Sequence, residues 1–458
     1  MINIQKTPLL IFFAWIAICG SLGMDINVHL LQAENKKNIL TYLNEFRIVI
    51  SIVAILAFLV WNLLLFVKKK YFTNIFKFNT TFIFILFFLS QFTGLVQNNY
   101  EVLNYNNYYL LFLSLGTLNL FLFINNNGNE SHYKILLYLL LIIILIHSFS
   151  ILAEKYDTLI VSILQGQSLY SLTLPNELFL GQAIPRITGL SRSLAILNLF
   201  LIVWYFHTSH NFGITKKTTY NLFILIIGIL IWAMNSRGTI LCYFFSLIIY
   251  FLFFLKESLV TRAKFFILIA FLPIIVFSIF GHIKIITKEK INITEEKINI
   301  TVGGGEFGIL KNSRILNSGH NNYTSGRTEL WKYSINNYQK NKIFGYGTQG
   351  DRYLLSNGYD HYGTNVSNGF IYALLSGGYV GLIIFCFLFL KTSYNVGLAI
   401  INYKTINADY ATKSSILFLS FLLLRSLVEN SFSLFSLDFL LFIISSIIVE
   451  KLVRKKNL

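Results

Sequence analysis

Twelve stretches of this chain, each about 17–25 residues long, are built almost wholly from Leu, Ile, Phe and other apolar residues, enough to cross a hydrocarbon layer as helices. They lie near 8–24, 47–67, 80–97, 107–124, 133–153, 192–208, 219–236, 238–256, 264–281, 368–390, 412–430 and 432–450. A bilayer offers no water to the backbone, so only helices and closed barrels cross it. The stretches lack the apolar–polar alternation of barrel strands. The expected fold is therefore all-α, a polytopic transmembrane helical bundle. A charged fraction of 12% against 55% hydrophobic excludes an ordinary soluble domain, which carries roughly twice that charge.

Basic residues gather in the connections that follow every second stretch. These are Lys68, Lys69, Lys70 and Lys77; Lys216 and Lys217; Lys256, Arg262 and Lys264; Lys391, Lys404 and Lys413; and Lys451, Arg454, Lys455 and Lys456 at the end. The positive-inside rule places all of them, and both termini, in the cytoplasm. The net charge of +17 thus belongs to membrane loops and not to a nucleic-acid surface. Connections of the other parity carry Asp25, Glu45, Glu101 and Asp157. Cys19, Cys242 and Cys386 fall inside apolar stretches, which suits buried thiols and neither a disulfide framework nor a metal site. The stretch from Lys6 to Met24 has no small-residue cleavage pattern and is expected to stay as the first span.

The expected organisation is a bundle over residues 1–281, a large outer loop over 282–367, and three further spans over 368–458. The loop opens with a repeat, Glu289-Lys290-Ile291-Asn292-Ile293-Thr294 and then Glu296-Lys297-Ile298-Asn299-Ile300-Thr301. That alternation suits an exposed strand pair or a linker. Further on, Ser325-Gly326 can start a helix in which Leu330, Trp331, Ser334, Ile335 and Tyr338 recur at helical spacing. Arg327 shares their face and points to the membrane or the bundle rather than simply to water. Gly345-Tyr346-Gly347 breaks the segment that follows.

Three arginines stand beside apolar stretches on the outer side of this topology. Arg186 lies in Pro185-Arg186-Ile187-Thr188-Gly189, with Arg192 just beyond; Arg237 lies in Asn235-Ser236-Arg237-Gly238, and Arg327 opens the loop helix. Guanidinium groups gathered at a membrane face are costly unless an anion sits among them. A diphosphate fits both a guanidinium fork and a membrane-bound substrate. For Arg237 a snorkelling contact with lipid headgroups is an equal reading. Arg425 and Glu429 stand four residues apart near the outer end of the eleventh stretch, where they either neutralise one another or face the cavity that holds the other arginines. Asn368 opens the tenth stretch, which Ser376-Gly377-Gly378-Tyr379-Val380-Gly381 interrupts for close packing or a bend. His361 is the side chain best placed for proton transfer, followed by His320. No nucleotide-binding motif and no paired aspartates of a metal-dependent sugar-nucleotide enzyme occur. The activation of the substrate must therefore be built into it.

These segments together resemble the O-antigen ligase and polymerase family of the bacterial inner membrane. The resemblance rests on Pro185-Arg186-Ile187-Thr188-Gly189, Ser236-Arg237-Gly238, Gly326-Arg327 through Trp331, Gly345-Tyr346-Gly347, Asn368 through Gly381, and Arg425 with Glu429. It implies glycosyl transfer from undecaprenyl-diphosphate-linked glycan donor to acceptor at the periplasmic face, inverting, with no cofactor and no metal. With the placement of the side chains, this makes Arg186, Arg237, Arg327 and His361 the catalytic candidates, and Arg192, Asn368, Arg425 and Glu429 the expected substrate contacts. A chain-length regulator protein is an expected partner, beside membrane lipid. Ligases of the family commonly carry a histidine immediately before the asparagine that opens the span after the large loop. Here that residue is Ser367, which favours a polymerase over a ligase. A flippase for the same lipid-linked oligosaccharide is a third reading, disfavoured by the lack of repeated halves.

Overall fold

The computed structural model describes residues 80–97, 130–154, 189–208, 213–233, 236–255, 258–275, 327–338, 343–348, 366–402, 409–429 and 436–455, with a few single positions between them. Among these, the regular elements are helical. They are α1 (Thr80–Gln97), α2 (Glu130–Glu154), α3 (Leu190–Thr208), α4 (Ile214–Ala233), α5 (Arg237–Ile249) with a π-helical turn (Tyr250–Phe254), α6 (259–275), α7 (Arg327–Asn336), α8 (Gly369–Ile401), α9 (Tyr410–Ser426) and α10 (Leu437–Lys455). Five are long and apolar enough to cross a membrane by length and composition: α1, α3, most of α4, α5 with its π turn, and α8. The apolar stretches near 8–24, 47–67 and 107–124, and the repeat and His320 of the large loop, lie outside the described residues.

The described helices fall into two compact units, one drawn from Met1–Ile144 and Gly326–Leu458, the other from Leu145–Ser325. In the first unit α10 is buried almost all round, from Leu437 through Phe439, Leu440, Phe442 and Ile444 to Val449. A helix apolar on every face belongs at a centre, with its neighbours as its solvent. Aromatic rings carry the packing outward: Phe84 meets Phe439 and Phe442 edge-on, Phe432 meets Phe442, and Phe385 joins Phe432 to Phe87 and Phe370. These edge-on and tilted ring contacts add about 0.5–1.5 kcal/mol each beyond the area they bury.

Charged groups close the far end of this unit. Glu450 accepts from the Thr80 backbone N–H at 2.9 Å and pairs with Lys391 at 3.4 Å and Arg454 at 2.8 Å. Asp409 caps α9 by accepting from the Thr412 N–H and pairs with Lys134 at 2.8 Å. Burial would raise the Asp409 carboxyl, but Lys134 and Thr412 together outweigh it and hold it below its ordinary value.

The long helix α8 carries a break. Gly378 has φ +66° and ψ −162°, and the carbonyls freed there are taken up by a loop. The Tyr346 N–H donates to the Leu375 carbonyl at 2.8 Å, the Gly347 N–H to Ser376 at 3.0 Å, and the Val380 N–H to Ile343 at 3.3 Å. Irregular backbone inside a bundle survives only where protein satisfies it in this way. Glycine is obligatory on all sides: a Cβ at Gly378 would collide with the Ile343 carbonyl, one at Gly94 of α1 with the Phe344 carbonyl, and one at Gly347 would stand 2.5 Å from Leu95 Cα. The glycine run thus provides a bend and a close approach together.

In the second unit α3 packs against α4 and α5. Asn198 donates across this packing to the Ile224 carbonyl at 3.2 Å, and Phe206 lies against Tyr250, Phe251 and Phe265. Arg262 donates to the Leu252 carbonyl at 2.8 Å, taking up an acceptor in the π turn.

Candidate functional site

Four helix ends of the first unit meet around one loop. Helix α9 stops at Ser426, and the N–H groups of Val428 and Glu429 both donate to the Arg425 carbonyl, at 3.0 and 2.8 Å. Arg425 sits in the last turn of α9 and Asp438 in the first turn of α10, each the charge that its helix terminus favours. They pair at 3.1 Å with side chains 8% and 1% exposed. Asp438 was not foreseen from the sequence. Its signal was there, an ionisable residue inside an apolar stretch, but the stretch was read as running through it.

Glu429 lies just past the end of α9, in a turn where its N–H still donates to the carbonyl of Arg425 four residues earlier. It reaches Arg425 only at 4.0 Å. Its closer partner is Arg327 of α7, whose Nη2 pairs with Glu429 Oε1 while Nη1 donates to the Val428 carbonyl at 2.8 Å. The i, i+4 pair of Arg425 and Glu429 is thus one link in a row of four alternating charges, Arg327, Glu429, Arg425 and Asp438. The row grades from partly exposed to buried, with Arg327 at 24% and Glu429 at 15%.

Asn368 takes the neighbouring place. Its Oδ1 accepts from the N–H groups of Phe370 and Ile371, capping α8, and its Nδ2 donates to the Leu427 carbonyl at 2.9 Å. Asn368 and Arg327 therefore hold successive carbonyls of one turn. In this structure the Asn368 side chain does the work of a cap. Ser367 beside it has φ +49°, a conformation uncommon for a side chain other than Asn, Asp or Gly. Val366 is held from two sides: its carbonyl accepts from Trp331 Nε1 at 2.8 Å, and its N–H donates to the buried Asp351 at 3.2 Å.

The helix carrying Arg327 forms where the periodicity placed it. Leu330, Ser334 and Tyr338 are buried and Trp331 is half-buried, whereas Ile335 is 50% exposed, so the packed face is narrower than expected. Arg327 shares that face and turns to the bundle.

Arg192 and Arg237 belong to the second unit. Arg192 lies in the first turn of α3 and folds back on Gly189, where a Cβ would meet its Nη2 at 2.8 Å. Arg237 is the first residue of α5, after an extended Ser236 whose hydroxyl is 3.0 Å from Thr239 Oγ1. Both are partly buried and engaged in contacts. Arg186 and His361 lie outside the described residues.

The row of charges stands at a bundle end, with Arg327 partly exposed and held by the Val428 carbonyl and the Glu429 carboxylate. No curated protein and no solved structure matches the chain. The O-antigen ligase family model matches residues 222–386, a segment that includes Arg237, Arg327, His361, Asn368 and the α8 break and stops before Arg425. Over that segment, about a third of the chain, the protein is similar to the O-antigen ligase family.

Proposed function

We propose that the protein polymerises undecaprenyl-diphosphate-linked oligosaccharide repeat units into surface polysaccharide, at the periplasmic face of the bacterial inner membrane. The observation that supports this reading is the partly exposed Arg327 fork, held at the meeting of α7, α8 and α9 by the Val428 carbonyl and the Glu429 carboxylate. Such a fork matches phosphate oxygens bidentately.

In this scheme an acceptor hydroxyl attacks the anomeric carbon of the lipid-linked chain while the bond to the diphosphate breaks, inverting the configuration. Arg327 stabilises the charge that develops on the departing diphosphate. Because the leaving group is already good, the hydroxyl proton needs only a modest base, the role assigned to His361. Arg425 sits behind Glu429 and is paired to a buried carboxylate, so it supports the site instead of touching substrate. Ser367, standing where ligases of the family carry histidine, favours polymerase over ligase.

Purified protein given a synthetic lipid-diphosphate repeat unit is expected to make polymer in EDTA and without nucleotide. Arg327→Ala should lower the rate by about 100-fold or more, the scale of losing a transition-state donor. Arg327→Lys should recover little, since lysine lacks the fork. Full activity of Arg327→Ala would remove the residue from the reaction. Alanine at Arg186 and Arg237 asks the same of the second unit. Deleting the gene separates the alternatives. Single repeats on lipid A-core mark a lost polymerase, and bare core with accumulated lipid-linked polymer marks a lost ligase.

A further inference from the structure

Both Nη groups of Arg327 are occupied within the chain, one by the Val428 carbonyl and one by the Glu429 carboxylate. An incoming diphosphate cannot take the fork bidentately while Glu429 holds it. Glu429 has somewhere else to go. Its second oxygen already lies 4.0 Å from Arg425, so a small rotation brings it into full contact there. Arg425 remains held by Asp438 at 3.1 Å throughout and does not move with it. The burial gradient fits this division: Asp438 is closed off at 1%, whereas Arg327 and Glu429 stand at the open end of the row.

We propose that Glu429 is an internal competitor for the anion site, and so a residue that determines which ligands the site accepts. With the site empty it neutralises Arg327; with a lipid diphosphate bound it swings to Arg425, and it returns as the product leaves. The contact that must be broken is subtracted from the binding of every ligand. Anions with a single weak anchor, such as inorganic phosphate, then fall below useful affinity, and a diphosphate with more oxygens does not. This inference rests on the reading of Arg327 as a diphosphate-binding residue. It differs from a positioning role for Glu429 in the sign of its effect, because removing a competitor tightens binding and removing a support weakens it.

The test is the affinity of full-length protein in detergent for geranylgeranyl diphosphate, measured for wild type, Arg327→Ala, Glu429→Gln and Glu429→Asp after size exclusion. Glu429→Gln keeps the shape and removes the charge, and should tighten binding by about tenfold, the scale of one partly buried charge-assisted contact. Glu429→Asp is one methylene shorter, stays near Arg425 and loses Arg327, and should tighten binding in the same direction. It serves where the glutamine variant folds poorly. Binding that is weaker than or equal to wild type in both Glu429 variants overturns the competitor. Arg327→Ala that binds like wild type, or an absence of binding in every protein, overturns the reading of the site itself.

Discussion

Arg425 and Asp438 form the most deeply closed ion pair of the site, joining the end of α9 to the start of α10. Taking one partner away strands the other in a dry interior at a cost of about 3–5 kcal/mol, whereas taking both away for apolar residues of like size is close to neutral. Asp438→Asn should therefore lower the thermal midpoint of purified protein sharply, and Arg425→Met with Asp438→Leu should restore most of it. Equal loss in the single and double variants would mean that the pair contributes as packing and not as charge. The sequence made Arg327, Asn368, Arg425 and Glu429 legible as a group, because charged and amide side chains beside apolar helices are rare. It offered Arg425 and Glu429 as a pair or as neighbours of the other arginines, and Glu429 stands between Arg425 and Arg327. The i, i+4 spacing carries the Arg425–Glu429 contact, whereas Arg327 and Asp438 reach the row from other helices. The Arg425–Asp438 pair joins two helices, a contact that spacing along one helix does not reveal.

The break in α8 shows the same limit among elements. Hydropathy reads through Ser376-Gly377-Gly378 as one span, and the helix is indeed continuous in its general course over Gly369–Ile401. What sequence could not say is that a loop from 343 to 347 would lie in the break and against Gly94 of α1, since those partners are distant along the chain. Gly378→Ala meets two obstacles at once, a left-handed φ and the Ile343 carbonyl. The backbone strain alone amounts to about 1–3 kcal/mol. In hydrogen exchange, the amides of Tyr346 and Gly347 should lose protection in Gly378→Ala and in Gly94→Val. Unchanged protection in both would show that the loop holds its place without the glycines. The starts of α1 and α3 fell where the apolar runs begin, while α10 starts five residues later than its run, at the turn fixed by Asp438.

Over the whole molecule, helical character was plain from the apolar runs, and nine of the twelve coincide with described helices. Orientation rests on the basic connections. In the first unit the two charged groupings lie at opposite ends of α10, with Asp438 and Glu450 about 18 Å apart along its axis. Reporter fusions should place 160–185 and 300–360 outside, and 70, 216, 262, 404 and 456 inside. A cytoplasmic signal from 300–360 would set Arg327 on the side opposite to a periplasmic glycan. The 33 residues of α8 carry a further consequence. A straight rod of that length would measure about 50 Å against a hydrocarbon layer of about 30 Å. Such a mismatch ordinarily forces a helix to tilt as lipids thin or thicken. The joint at Gly378 divides the rod, leaving nine residues on the outer side, from Gly369 to Gly377, tied to α1 and the inserted loop. A bend at that joint, rather than a tilt of the whole rod, then takes up part of the mismatch.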